Sequence, residues 1–88
     1  MAWTVSFEPR ALSELKKLDR LTQRRVVQFL KERIEGNHNP RDSGKPLTGD
    51  KLGLWRYRIG QYRTVCRIDD EHHSALVLRI AHRKDVYR

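Results

Sequence analysis

Residues 54–68, LWRYRIGQYRTVCRI, hold two short segments in which apolar and basic residues alternate. A period of two is typical of a β-strand with one buried face, because successive side chains point to opposite sides of a sheet. Gly60-Gln61 separates the two segments and suits a tight turn. The stretch therefore predicts a β-hairpin. Its aromatic and aliphatic side chains should face a packed layer, and Arg56 and Arg58 should lie on the opposite, open face.

One strand and two helices are predicted before this hairpin. Apolar residues alternate with small polar ones over residues 2–7, as in a half-buried strand. Pro9 suits the first position of a helix, and leucines then recur at a spacing of three, at Leu12, Leu15 and Leu18. Asp19 can cap a second helix over residues 21–34, whose apolar set is Leu21, Val26, Val27, Leu30 and Ile34. Gly36 supplies a stop signal.

A loop and a final strand complete the predicted fold. Residues 37–53 combine glycines and prolines with polar residues, which predicts an ordered but irregular loop. Residues 75–81 predict a last strand, with Leu76, Leu78 and Ile80 on one face and Val77 and Arg79 on the other. The order β-α-α-β-β-β predicts a single two-layer α+β domain over residues 1–88. Two N-terminal helices should pack on one face of a mainly antiparallel four-stranded sheet, with the first strand at its edge.

The charge of the chain favours a charged partner. Nineteen Lys and Arg against eleven acids give a net charge of +8, which suits contact with phosphates and equally an acidic protein. The lone Cys66 excludes an intrachain disulfide and a cysteine-based zinc site. No apolar run reaches the roughly 18 residues of a membrane span. We expect a cytoplasmic protein without membrane contact, metal or cofactor.

Five cations and no acid lie between residues 51 and 67, at Lys51, Arg56, Arg58, Arg63 and Arg67. They indicate a phosphate-binding surface, because the guanidinium fork donates paired hydrogen bonds and keeps its charge. Snorkelling at a sheet edge, or pairing with acids on the helices, is the alternative interpretation. Trp55, Tyr57 and Tyr62 could stack on bases, although Trp55 and Tyr57 are better explained as core.

The last eight residues mix an imidazole, a phenol and fixed cations, in His82, Arg83, Lys84, Tyr87 and Arg88. Such groups suit RNA cleavage, because RNA carries its own 2′-hydroxyl nucleophile and needs only alignment, proton transfer and charge stabilisation. A frayed, charged tail is the alternative. Acids and histidines over residues 69–73 are explained by a solvated turn better than by a cation site.

The layout resembles the RelE branch of the RelE/ParE toxin superfamily over nearly the whole chain. The motifs are Lys45-Pro46-Leu47, Gly53-Leu54-Trp55-Arg56-Tyr57-Arg58, Tyr62-Arg63-Thr64-Val65 and Ile80-Ala81-His82-Arg83, followed by Tyr87. The resemblance implies the toxin of a type II toxin–antitoxin system. Such a toxin is a metal-independent endonuclease that enters the A site of the 70S ribosome and cuts mRNA. It also implies a RelB-like antitoxin, encoded alongside, as the inhibitory partner.

The resemblance implies roles for individual residues. Arg63 and Arg83 would stabilise the phosphorane, and Tyr87 would act as the base. The family's two lysines on the first hairpin strand are replaced here by Arg56 and Arg58, which should bind RNA rather than titrate. His82 is the alternative proton carrier, but strand parity points it away from Arg83. Four further cations are expected to bind RNA: Lys45, Lys51, Lys84 and Arg88.

Two other functions fit the same sequence. One is a ParE-like inhibitor that keeps the fold and binds DNA gyrase without cutting RNA. The other is a non-catalytic RNA- or ribosome-binding module, for which the arginine surface alone suffices.

Overall fold

One mixed sheet and two α-helices form the computed structural model, which describes residues 3–36, 39–47 and 53–84. The elements are β1 (Thr4–Phe7), α1 (Pro9–Lys16), α2 (Arg20–Leu30), β2 (Lys45–Pro46), β3 (Leu54–Ile59), β4 (Tyr62–Asp69) and β5 (Ser74–His82). The strand order is β1-β5-β4-β3-β2, with β1 parallel to β5 and the other pairs antiparallel. The predicted α+β class, the hairpin and the edge position of β1 are confirmed.

The described sheet has five strands, so the prediction of four was wrong by one short strand. Lys45 pairs with Arg56, and Pro46 pairs with Trp55, which adds β2 to the outer edge of β3. Two residues are too few to show a period of two, so the loop prediction over residues 37–53 missed this strand. The same segment holds a 3₁₀ turn over Pro40–Asp42.

Both helices begin as predicted, but their buried faces differ from the prediction. In α1, Ala11 and Leu15 are buried, whereas Leu12 is 39% exposed. Residues four apart share a helix face more closely than a repeated spacing of three, which drifts around the axis. Pro9 occupies the first turn of α1, and Asp19 caps α2 through the Thr22 N–H at 3.2 Å. Leu21, in the first turn of α2, is 59% exposed rather than core.

The second helix changes its winding before it ends. A π-helical turn over Lys31–Glu35 follows α2, and the Gly36 N–H donates to the Lys31 carbonyl at 3.1 Å. The turn keeps Ile34 buried. It also places Glu35 so that Oε2 accepts the Val5 N–H at 3.0 Å, on β1. None of the helices in the described segments is long and apolar enough to cross a membrane.

A β-bulge in β5 overturns the predicted faces of the last strand. Val65 pairs with Arg79, but Cys66 pairs with Val77, so Leu78 is the extra residue. The buried residues are consequently Ala75, Val77 and Ile80, not the predicted set of Leu76, Leu78 and Ile80. An inserted residue reverses the alternation for every position beyond it.

The core lies between the helices and one face of the sheet. Directly opposed residues on neighbouring strands share a face, and Tyr57, Thr64 and Ile80 form one such row, all buried. Trp55 and Ile59 pack against the same core, as predicted. Cys66 is fully buried in it, and burial raises the pKa of its thiol to about 12. The opposite face carries the arginines.

Candidate nucleic-acid interface

A cleft of about 300 Å³ lies where the helix layer meets the outer edge of the sheet. Its lining comes from α2, from the residue before β2, and from β2, β3 and β4: Phe29, Gly44, Lys45, Arg56, Arg58 and Arg63. Four of these six residues are cations, and none is an acid. The fold therefore brings together four residues that the sequence singled out, and it does so at a concave site.

Arg58 and Arg63 oppose each other directly across β3 and β4. No carboxylate in the part of the chain that the structure describes forms an ion pair with either side chain. Within the described segments, the Arg63 side chain makes one long hydrogen bond of 3.5 Å, to the Tyr62 carbonyl. Like charges in direct opposition repel each other. A bound anion would relieve this repulsion, which is the electrostatic signature expected of a phosphate site.

The segment that carries Lys45 is fastened to the sheet by two short hydrogen bonds. Trp55 Nε1 donates to the Ser43 carbonyl at 2.6 Å, and the Tyr57 hydroxyl donates to the Pro40 carbonyl at 2.6 Å. Burial raises the pKa of the Tyr57 phenol, so this group stays a neutral donor. The two aromatic side chains therefore belong to the core and also hold the loop, instead of stacking on bases.

Gly44 allows the closest approach in this segment. Its φ is +77°, and a Cβ there would overlap the Arg56 carbonyl oxygen and come within 2.7 Å of Trp55 Nε1. Only a residue without a side chain fits at this point. Gly44 therefore lets the chain pass close to β3 and deliver Lys45 into the cleft.

Arg41 serves the loop rather than the cleft. Its guanidinium makes a bidentate pair with Asp70, with N–O distances of 2.7 and 2.9 Å. The contact joins the 3₁₀ turn to the turn between β4 and β5, and Arg41 lowers the pKa of the Asp70 carboxyl. Of the two basic loop residues that the structure describes, Arg41 and Lys45, Lys45 lines the cleft.

The residues at the end of β5 stand apart from the cleft lining. His82 pairs with Tyr62, and their rings lie edge to face with centroids 5.7 Å apart. The His82 Nδ1 accepts the Lys84 N–H at 3.3 Å. Arg63 pairs instead with Ala81, which places His82 on the opposite face of the sheet from Arg63.

Arg83 and Lys84 follow β5 with exposed side chains. The Arg83 N–H donates to the Gln61 carbonyl at 2.8 Å, which sets Arg83 beside the turn that leads into Arg63. Three other candidates, Lys51, Tyr87 and Arg88, lie outside the described residues.

Glu14 secures the strand that leads to these residues. Its Oε1 accepts the Ile80 N–H at 2.9 Å, and its Oε2 accepts Arg79 Nε at 3.3 Å. Both side chains are only 21% exposed. Since β1 ends opposite Val77, Glu14 from α1 takes over the edge of β5 beyond that point.

The end of β4 and the turn that follows it hold a group of potential metal ligands, the half-buried Asp69 with the exposed Glu71 and His72. His72 Nδ1 lies 2.7 Å from Asp69 Oδ2, and this contact lowers the pKa of the Asp69 carboxyl. The two side chains thus satisfy each other at the surface, which fits a solvated turn.

Two cleft residues were missed at the level of sequence. Phe29 was left out of the apolar set of the second helix, although its spacing from Val26 places both on a related face. Gly44 was treated as one of several loop glycines. A glycine directly before the Lys45-Pro46-Leu47 motif is the signal that sequence reasoning could have used.

Comparison with known proteins places this fold among the toxins of type II toxin–antitoxin systems. The family model described as ParE toxin of type II toxin–antitoxin system, parDE, matches residues 5–87. Toxin RelG of Mycobacterium tuberculosis is 39% identical over 88 residues, covering 100% of this chain and 99% of that protein. Toxin RelE of the same organism is 47% identical over 51 residues, covering 58% and 53% of the two chains. One chain in the structure of the M. tuberculosis toxin–antitoxin complex RelBE2 superposes on this protein with a TM-score of 0.84 and 36% sequence identity. The match covers 97% of this chain and 95% of that chain.

Proposed function

Because this chain belongs to the ParE toxin family of type II toxin–antitoxin systems, we propose that it is a ribosome-dependent endonuclease that cuts mRNA in the A site of the 70S ribosome. The observation that carries the proposal is the cleft in which Lys45, Arg56, Arg58 and Arg63 converge, with no acid among the described residues that line it. Cations beside an aromatic ring suit a phosphodiester strand that carries bases. The similarity to Toxin RelG over the full chain supports the RelE-type reading.

The proposed reaction uses the nucleophile that RNA supplies. The 2′-oxygen forms a bond to the adjacent phosphorus while the bond from phosphorus to the 5′-oxygen breaks, leaving a 2′,3′-cyclic phosphate. One proton leaves the 2′-hydroxyl, and one is delivered to the departing 5′-oxygen. This transesterification needs no metal or cofactor to generate a nucleophile.

Arg63 and Arg83 take the role of stabilising the charge that builds on the phosphorane. Preorganised donors of this kind are worth about 3–4 kcal/mol each in comparable sites. The unpaired guanidinium of Arg63 is suited to the task, because no internal carboxylate competes for it in the described chain. Arg56, Arg58 and Lys45 bind the strand within the cleft, and Lys51, Lys84 and Arg88 are further proposed RNA contacts.

Tyr87 is the proposed base, which is the role that the resemblance to RelE toxins implies for it. His82 is the weaker candidate, because it shares a face with Tyr62 and its Nδ1 already accepts a backbone N–H. In a neutral imidazole held in this way Nε2 carries the proton, and the one nitrogen that could accept a proton, Nδ1, is already engaged.

A RelB-like antitoxin encoded alongside is the proposed inhibitory partner. The RelBE2 structure of M. tuberculosis is a toxin–antitoxin complex, and one of its chains has the same fold as this protein. With a net charge of +8, this chain would favour an acidic antitoxin segment laid over its arginines.

Primer extension on cellular mRNA tests the proposal. Cells briefly express the wild type, Arg63→Ala or Tyr87→Phe, with and without an inhibitor of translation. We expect cuts inside translated codons in the wild type, a loss of about 100-fold or more in each variant, and no cuts when translation is blocked. Arg67→Ala is the matched control, since Arg67 lies on the same strand and face as Arg63 but outside the cleft lining. Cuts that persist in Arg63→Ala would overturn the assignment.

A second candidate is favoured by the name of the matching family model, which describes ParE toxins. A ParE-like protein would inhibit DNA gyrase by binding and leave mRNA intact. Growth arrest with gyrase-linked DNA breaks, and without mRNA cuts, would establish gyrase inhibition as the function instead. Arrest with neither lesion would indicate a non-catalytic RNA- or ribosome-binding module.

A further inference from the structure

Phe29 contributes an aromatic wall to a cleft that otherwise consists of cations and Gly44. It comes from α2, whereas the cations come from β2, β3 and β4. Its side chain is only half-buried, unlike its helix neighbours Val26 and Leu30, which are fully buried. Part of the Phe29 side chain packs against the core, and its exposed part is what a ligand in the cleft could contact.

The Phe29 ring is held from two directions. Tyr57 meets it edge to face, with centroids 6.0 Å apart and an interplanar angle of 69°. The Arg33 guanidinium carbon lies 5.4 Å from the ring centroid. Tyr57 is itself fixed by its hydrogen bond to Pro40. The ring is therefore preorganised, and binding a ligand would cost little further side-chain entropy.

We propose that Phe29 is a nucleobase contact, against which one base of the bound strand packs while the cleft arginines hold the neighbouring phosphates. This assignment rests on the proposed function in one respect, that a single-stranded RNA occupies the cleft. Aromatic rings bind bases with little sequence preference, since every base has a π-face. Arg33 extends the surface, because a guanidinium stacks on bases as well as on rings.

The direct test compares two anions that differ in whether they carry bases. A short 2′-O-methyl RNA, which lacks the nucleophilic hydroxyl, is titrated against the wild type, Phe29→Leu and Phe29→Tyr. Linear polyphosphate of equal charge is titrated against the same proteins. We expect Phe29→Leu to weaken RNA binding about tenfold and to leave polyphosphate binding unchanged. Phe29→Tyr, which keeps the ring, should bind both like the wild type.

Equal weakening of both anions in Phe29→Leu, or no weakening of RNA binding, overturns the proposal, because the ring would then serve only the fold. Thermal unfolding of each variant identifies a folding defect, and Phe29→Met replaces Phe29→Leu if the latter unfolds. Failure of the endonuclease proposal is a separate result. It would appear as absent mRNA cuts in the wild type, even though the base-dependent binding in this titration is intact.

Discussion

Arg58 and Arg63 face each other across the β3–β4 hairpin as direct cross-strand partners. The folded chain therefore holds two guanidinium groups together at a cost that no described carboxylate offsets. The repulsion lowers the stability of the free protein, and its relief on binding raises the affinity for an anion. Stability and binding should consequently change in opposite directions when one of the two charges is removed.

Replacing Arg58 by Thr should stabilise the protein in chloride by about 0.2–1 kcal/mol, because the opposed like charges are gone and Thr suits a strand. Phosphate at ten times its Kd should stabilise the wild type by about 1.4 kcal/mol and the variant by much less. Thermal unfolding in chloride and in phosphate, at matched ionic strength, measures both effects. An equal response to phosphate in the two proteins would contradict a cleft anion site.

Gly44 and Gly60 provide a matched pair for testing how the loop positions Lys45. Both have positive φ, +77° and +61°, but only Gly44 has atoms in the place of a Cβ. Gly60→Ala should cost about 1 kcal/mol for the left-handed backbone alone. Gly44→Ala should cost a further ~1–3 kcal/mol through overlap with β3. Urea unfolding measures the difference, and equal losses would show that the loop can move away from Trp55 without penalty.

The fold class could be predicted because its signals are local and repeated. Alternation in residues 54–68 and the cap at Asp19 each depend on nearest neighbours along the chain. The bulge at Leu78 could not be predicted in this way, because it depends on how β5 pairs with β4. The two-residue strand at Lys45–Pro46 depends likewise on a partner that lies nine or more residues away.

The candidate site was predictable in composition but not in shape. Arginine at alternating positions placed Arg56, Arg58 and Arg63 on one surface. The concavity depends on Phe29 and Gly44, which reach the cleft from α2 and from the loop. Contacts between distant segments carry no local periodicity, so the aromatic wall became visible only in three dimensions.

Glu14 should be the most important acid for the end of β5. Glu14→Ala removes both the Arg79 pair and the acceptor for the Ile80 N–H, and we expect a loss of about 2 kcal/mol. Glu14→Gln should lose less, since its amide oxygen can still accept the Ile80 N–H. Glu32→Ala is the control, because Glu32 is exposed and, among the described residues, its carboxylate accepts a hydrogen bond from Gln28, one turn earlier along the chain. Urea unfolding ranks the three variants, and a Glu14→Ala loss no larger than that of Glu32→Ala would refute this role.

The bidentate contact between Arg41 and Asp70 should make stability depend on acid pH. The pKa of the Asp70 carboxyl is lowered in the folded protein by its hydrogen bonds to Arg41, relative to about 3.9 in an unfolded chain. A lowered folded-state pKa contributes stability above the unfolded value, and this contribution disappears as the pH falls through the folded value. Asp70→Asn should therefore lower the unfolding midpoint by a constant amount between roughly pH 7 and pH 5, and the gap to the wild type should close below about pH 4.

Arg41→Gln should reproduce the same gap and the same pH dependence, because it removes the other half of the contact. The double variant should lose little more than either single variant, since the two side chains act as a unit. Thermal unfolding from pH 7 to pH 2.5 follows all four proteins. A gap between Asp70→Asn and the wild type that persists at the acid end would mean that Asp70 acts through the backbone of the turn and not through its charge.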